Sequence, residues 1–212
     1  TPIVSMTAIA LGLAAALVFG VGDLLAVIIV RKVGRLRFLL WSHISGIVLA
    51  TPFALFVVDL GQVPIFYWMV LASGGLLLLG MLASYLKAVQ LAPVALVAPI
   101  VATHVVVVIL LSMLLLDERL GLVRVAGVAL ALGGLSLVSI ASRGHQTFQR
   151  QNVGIAVAVL AMLVAGSFVF FVGVMSRELG WFIVVYYTRL SSLFVIMPIH
   201  WIAHTNPLKG LS

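Results

Sequence analysis

Residues 91–135 read LAPVALVAPIVATHVVVVILLSMLLLDERLGLVRVAGVALALGGL. From Pro93 to Leu116 the chain carries no formal charge, and His104 is the one ionisable group. At about 1.5 Å per residue this makes roughly 36 Å of helix, enough to cross a hydrocarbon core of about 30 Å. It opens on Ala92-Pro93, where a proline at the first helical position gives up no hydrogen bond. Pro99, further in, is predicted to bend the helix or loosen its ladder. Asp117-Glu118-Arg119-Leu120 ends the run with an abrupt return to charge. A short turn through Gly121 then leads into a second apolar helix carrying Gly127, Gly133 and Gly134.

The whole chain is of this kind. Hydrophobic residues make up 64% and charged ones 8%, against about 25% charge in a soluble domain. The fold class is therefore all-α, a polytopic membrane helix bundle. A net charge of +7 could point to nucleic acid, but the basic residues fall between apolar runs. They read as topology signals, and no nucleic-acid partner is expected. The absence of cysteine excludes disulfides, thiolate metal sites and a cysteine nucleophile.

Seven spans are predicted, at 8–30, 38–58, 65–86, 93–116, 125–142, 153–176 and 181–203. The first is too long for a signal-peptide core, lacks a basic leader and carries Asp23. Arg31, Lys32, Arg35 and Arg37 form a basic loop after it, and 143–152 is a polar loop. In the fifth span Gly127/Ala131 and Ala129/Gly133 have the spacing that lets helix backbones approach closely.

An offset of 146 residues, the distance from Gly20 to Gly166, also aligns Arg31 with Arg177 and Gly34 with Gly180. The same offset aligns Ser45 with Ser191 and Pro52 with Pro198, without a gap. Five spans separate the copies, so the second enters the membrane from the opposite side. That is an inverted repeat, an architecture of secondary transporters. The first repeat covers 1–142, a connecting loop 143–152 and a partial second repeat 153–212. The second copy stops before its third helix, which predicts a fragment or a shortened product.

The Ala92-Pro93 helix start, internal Pro99, the Glu118-Arg119-Leu120 helix end and Gly127 and Gly133 beyond it occur in a fixed order. This composite resembles the EamA domain of the drug/metabolite transporter superfamily. The resemblance implies five plus five helices, transport of small molecules, no enzymatic activity and, as its direction, export.

Ionisable residues inside a membrane cost about 2.5–3.5 kcal/mol on insertion scales and call for a functional hypothesis. Asp23 and His43 lie at similar depth on the first two spans, so they are a candidate proton or cation site. A carboxylate among Leu24, Leu25 and Val27 loses hydration, which favours the neutral acid. Asp23 is thus the first candidate for proton coupling. The bland alternative is a polar pair holding two helices together.

Ser42, His43, Ser45 and Gly46 correspond under the offset to Thr188, Arg189, Ser191 and Ser192. Each set covers an arc of roughly 160°, so each can face one cavity. In an inverted repeat the two faces would oppose one another near the midplane. Arg189 is then a candidate for binding a carboxylate or phosphate, unless it pairs with Asp23 or reaches for the interface. His104 is a further candidate, with a hydrogen bond to a neighbouring helix as the bland reading. Tyr186 lies deep enough to touch a cavity. Pro93, Pro99, Glu118, Arg119 and Gly127 are assigned structural roles. No metal cluster, phosphate-binding glycine loop or nucleophile triad is seen, and no cofactor is expected.

The favoured reading is a secondary transporter of small metabolites or drugs in the plasma (inner) membrane, with protons as a candidate coupling ion. A membrane-embedded enzyme or lipid-handling protein, and a non-transporting scaffold, are the alternatives. The excess of basic residues at 31–37 and on loops of the same side places the N-terminus outside.

Overall fold

Continuous apolar sequence gives continuous helix, because a backbone inside lipid must satisfy its own hydrogen bonds. In a computed structural model, described for residues 2–57, 64–117, 121–141 and 148–205, the chain forms eight helices. These are α1 (Pro2–Val33), α2 (Arg35–Val57), α3 (Ile65–Leu91), α4 (Val94–Ala102), α5 (His104–Leu116), α6 (Leu122–Ala141), α7 (Phe148–Leu179) and α8 (Trp181–Thr205). No strand occurs among the described residues.

The expected fourth span is two helices in line. Pro99 lies inside α4, and the break falls four residues later at Thr103, whose N–H donates to Ile100 O at 3.2 Å. The expected polar loop at 143–152 is shorter than drawn from composition, since α7 already begins at Phe148. Polar residues there extend a helix beyond the apolar core instead of ending it. Asp117 ends α5 in a left-handed conformation, φ 52°. Glu118 and Arg119, assigned to the same helix end, lie outside the described residues.

Six segments are long and apolar enough to cross a membrane: Ala10–Val33, Arg35–Phe56, Ile65–Leu91, Val94–Leu116, Asn152–Leu179 and Trp181–Ile202. The direction of the helices adds α6. Along α3 and α7, Gly74 faces Phe171, Gly80 faces Val164 and Ala92 faces Gly154, so these two run antiparallel. If α4–α5 alone crossed between them, they would run parallel. The chain must therefore cross once more, through α6, which at roughly 30 Å is long enough. Parallel α3 and α8 (Trp68 with Tyr187, Leu71 with Ser191) agree with seven crossings.

The centre of the bundle is α3, which packs against α7 and α8, while α2 packs against α8. In lipid such packing rests on close van der Waals contact between small residues. Gly75 lies against Ser191 Oγ and the α8 backbone, and Gly166 against Val107 and the His104 carbonyl. The glycines singled out in α6 do not serve this way: at Gly127 and Gly133 an added β-carbon would meet nothing within 4 Å.

The turns repeat as the offset demands. Gly34 and Gly180 join α1 to α2 and α7 to α8 with φ 84° and 82°. Gly34 N–H donates to Val30 O at 3.0 Å, and Gly180 N–H to Ser176 O at 3.1 Å. One apolar cluster, Val30, Leu39, Leu86 and Ile196, closes the end near the basic loop. Another, Leu71, Val184 and Tyr187, fills the opposite end.

Candidate functional site

The polar faces of α2 and α8 meet, and they meet antiparallel. Arg189 Nη1 donates to Ser42 O at 3.5 Å, Thr51 and Tyr186 share a hydrogen bond of 3.1 Å, and Phe53 packs edge-on to Phe182 at 4.7 Å. As α2 advances from 42 to 53, α8 retreats from 189 to 182. The two helices that the 146-residue offset aligns thus run in opposite directions.

Arg189 is half-buried, and its guanidinium lies over Gly46, which has no side chain to exclude it. A guanidinium has five N–H donors, and its contact with Ser42 O is long. Among the described residues no carboxylate pairs with it.

His43 beside it is 2% exposed. Its Nδ1 lies 2.8 Å from Leu39 O. A carbonyl only accepts, so Nδ1 carries the proton and Nε2 the lone pair of the neutral ring. Nε2 is buried and has no hydrogen-bond partner among the described residues. The charge of Arg189 reaches the imidazole.

The flanking hydroxyls are held by their own helices. Ser42 Oγ donates to Leu39 O at 3.0 Å and Ser45 Oγ to Ser42 O at 3.3 Å. On α8, Thr188 donates to Val184 O at 2.8 Å, and Ser192 to Arg189 O at 2.7 Å. Both Thr188 and Ser192 are fully buried. Ser191 donates to Thr188 O at 3.0 Å and also reaches Leu71 O on α3 at 3.3 Å. Apart from Ser191 these hydroxyls donate within their own helices, whereas Arg189 and the Tyr186–Thr51 pair make polar contacts between α2 and α8.

Asp23 is not brought to this cluster. It lies on the exposed face of α1, with the Tyr85 hydroxyl of α3 in electrostatic reach, and it makes no hydrogen bond with His43. His104 opens α5, where its Nδ1 lies 3.0 Å from Val101 O within the same turn. Pro93 stands before α4 and Pro99 inside it. Among the described residues no group of His, Asp and Glu could hold a metal ion.

A cleft of about 540 Å³ is lined by Leu40, Met197, Pro198, His200 and Trp201. Met197 is roughly 12 Å of helix beyond Arg189, whereas Leu40 on α2 lies within one turn of His43.

Two contacts were not legible as functional from the sequence. Thr51 bonds Tyr186 across 135 residues, and the Gly74-Gly75 pair brings α3 against α7 and α8. A glycine pair in the middle of an apolar span was the available signal for the second.

The profile of the EamA-like transporter family matches residues 6–140. The chain belongs to the EamA-like transporter family. No curated protein and no solved structure gives a match to it. EamA membership and the apolar helices together make it a multi-pass membrane protein of a transporter family, not of an enzyme family.

Proposed function

We propose that this protein is a secondary active transporter that exports small metabolites or drugs across the plasma membrane by alternating access. The supporting observation is the antiparallel meeting of α2 and α8 through Ser42, His43, Gly46 and Arg189, deep within both spans. An arginine and a histidine inside a membrane are costly. Placed where two inverted copies face one another, they sit where such proteins bind their cargo. Rocking of one copy against the other would expose that position to each side in turn. Export, as the direction, rests on the family.

The ends of α1, α3 and α8 share one side with the 31–37 loop, since Val30, Leu39, Leu86 and Ile196 cluster there. The excess of basic residues supports reading this side as cytoplasmic and the N-terminus as exterior. Flux of a panel of small polar metabolites into proteoliposomes, with and without a pH gradient, tests the reading. Saturable flux of at least one compound above empty liposomes is expected. Flux no greater than in empty liposomes for the whole panel overturns it.

A further inference from the structure

We propose that Arg189 and His43 form a binding site for a small monocarboxylate, taken up together with one proton that ends on His43 Nε2. The inference rests on the transport reading for its purpose, but on local geometry for its chemistry.

Arg189 is a cation inside a membrane protein with no carboxylate beside it among the described residues and most of its donors unused. Its planar fork matches a carboxylate with two parallel N–H···O bonds. The neighbouring His43 has the complementary vacancy. Nδ1–H is committed to Leu39 O, so Nε2 is an acceptor with no donor among the described residues. A buried acceptor left unmatched costs free energy until a donor arrives.

An anion alone would answer Arg189 and leave Nε2 as it was. A cation alone would answer Nε2 and be repelled by Arg189. A carboxylic acid answers both. Its O–H bond breaks, the electron pair stays on oxygen, and the proton forms N–H at Nε2. The carboxylate then lies between guanidinium and imidazolium. The charge carried by the site is unchanged by loading, because one negative and one positive charge enter together. That balance matters in a membrane interior, where each uncompensated charge is costly. A dianionic phosphate with one proton would shift the charge by one unit, so the charge balance favours a monoanion such as a monocarboxylate.

The groups facing His43 are consistent with this assignment. α2 packs against α1, α3 and α8. Of their ionisable groups, Arg189 on α8 acts on the imidazole, whereas Asp23 lies on the exposed face of α1 and makes no hydrogen bond with His43. Arg31 and Lys32 on α1, Arg35 and Arg37 on α2 and Lys87 on α3 stand at or near helix ends.

The test uses the purified protein in nanodiscs, radiolabelled benzoate as probe, and a pH indicator in weak buffer to count protons. Saturable binding with uptake of one proton per benzoate is expected. Benzamide, the uncharged counterpart, and inorganic phosphate should compete poorly. Arg189→Gln should weaken benzoate binding by roughly tenfold to a hundredfold, as loss of a charged hydrogen-bond partner does. His43→Gln should still bind benzoate but take up no proton. Benzoate binding without proton uptake by the unaltered protein overturns the proposal, as does binding equal in Arg189→Gln. These readouts also separate two failures. Proton-linked benzoate binding with no flux of any compound keeps the site and removes the transport reading. Flux of other compounds with no benzoate binding keeps transport and removes the site.

Discussion

The guanidinium of Arg189 occupies the space that a side chain at position 46 would fill. A β-carbon built on Gly46 would lie 2.9 Å from Arg189 Cζ and 3.3 Å from Cδ. What it would meet is the far end of a flexible side chain. Gly46→Ala should therefore fold, displace the guanidinium and weaken benzoate binding by roughly tenfold. Gly75 is the contrasting case. Its added β-carbon would lie 2.9 Å from both Ser192 N and Thr188 O, which are backbone and cannot swing away. Gly75→Ala should push α3 from α8 and cost about 1–3 kcal/mol. Thermal unfolding in detergent should separate the two variants, with only Gly75→Ala markedly destabilised.

Gly34 and Gly180 supply the second prediction. Both hold φ near the left-handed region, at 84° and 82°, where a side chain costs about 1–2 kcal/mol. Gly34→Ala and Gly180→Ala should each lower the unfolding temperature, and by similar amounts, since the turns are the same. Asparagine, which visits this conformation more readily, should recover part of the loss at either position. Unaltered stability in both alanine variants would show that the turns are not held as described.

The same pair explains what was legible in the sequence. Gly34 and Gly180, Pro52 and Pro198, and the two polar faces fall on one offset, and the two glycines make the same turn, with φ 84° and 82°. Hydrophobic runs of about 20 residues announce spans directly, since lipid leaves no other backbone solution. Helix ends were less legible: α7 starts at Phe148, because polar residues at the interface extend helices as readily as they end them. Close approaches were misjudged for a related reason. Small-residue spacing marked Gly127 and Gly133, yet the tight contacts are at Gly46, Gly74, Gly75, Gly154 and Gly166. Spacing along one helix cannot say which face has a neighbour. The partners of single polar groups were likewise beyond reach. Asp23 and His43 share a depth, but depth does not fix rotation about the helix axis.

Orientation gives the third prediction. The chain has no cysteine, so single introduced thiols report cleanly. Arg35→Cys should resist an impermeant maleimide in intact cells and react after permeabilisation, and Gly121→Cys should react in intact cells. The reverse pattern would place the 31–37 loop outside and overturn the proposed topology.

The last prediction concerns Asp23. On sequence it is the first candidate for carrying a proton, being a carboxylate within an apolar helix. In the structure it lies on the exposed face of α1 and makes no hydrogen bond with His43, while Arg189 on α8 reaches Ser42, next to His43 on α2. Groups that share no partner act independently, and their effects add. Asp23→Asn keeps the size and hydrogen bonding of the side chain and removes its ionisation. It should insert and fold, retain one proton taken up per benzoate, and keep flux driven by a pH gradient to within about twofold, as expected for a distant site. His43→Gln, in the same assays, should lose proton uptake and the response to the gradient together. The double variant should then behave as His43→Gln alone. If Asp23→Asn instead abolishes gradient-driven flux while leaving exchange at equal pH, the proton belongs to Asp23. The site on α2 and α8 would then bind the carboxylate without carrying its proton.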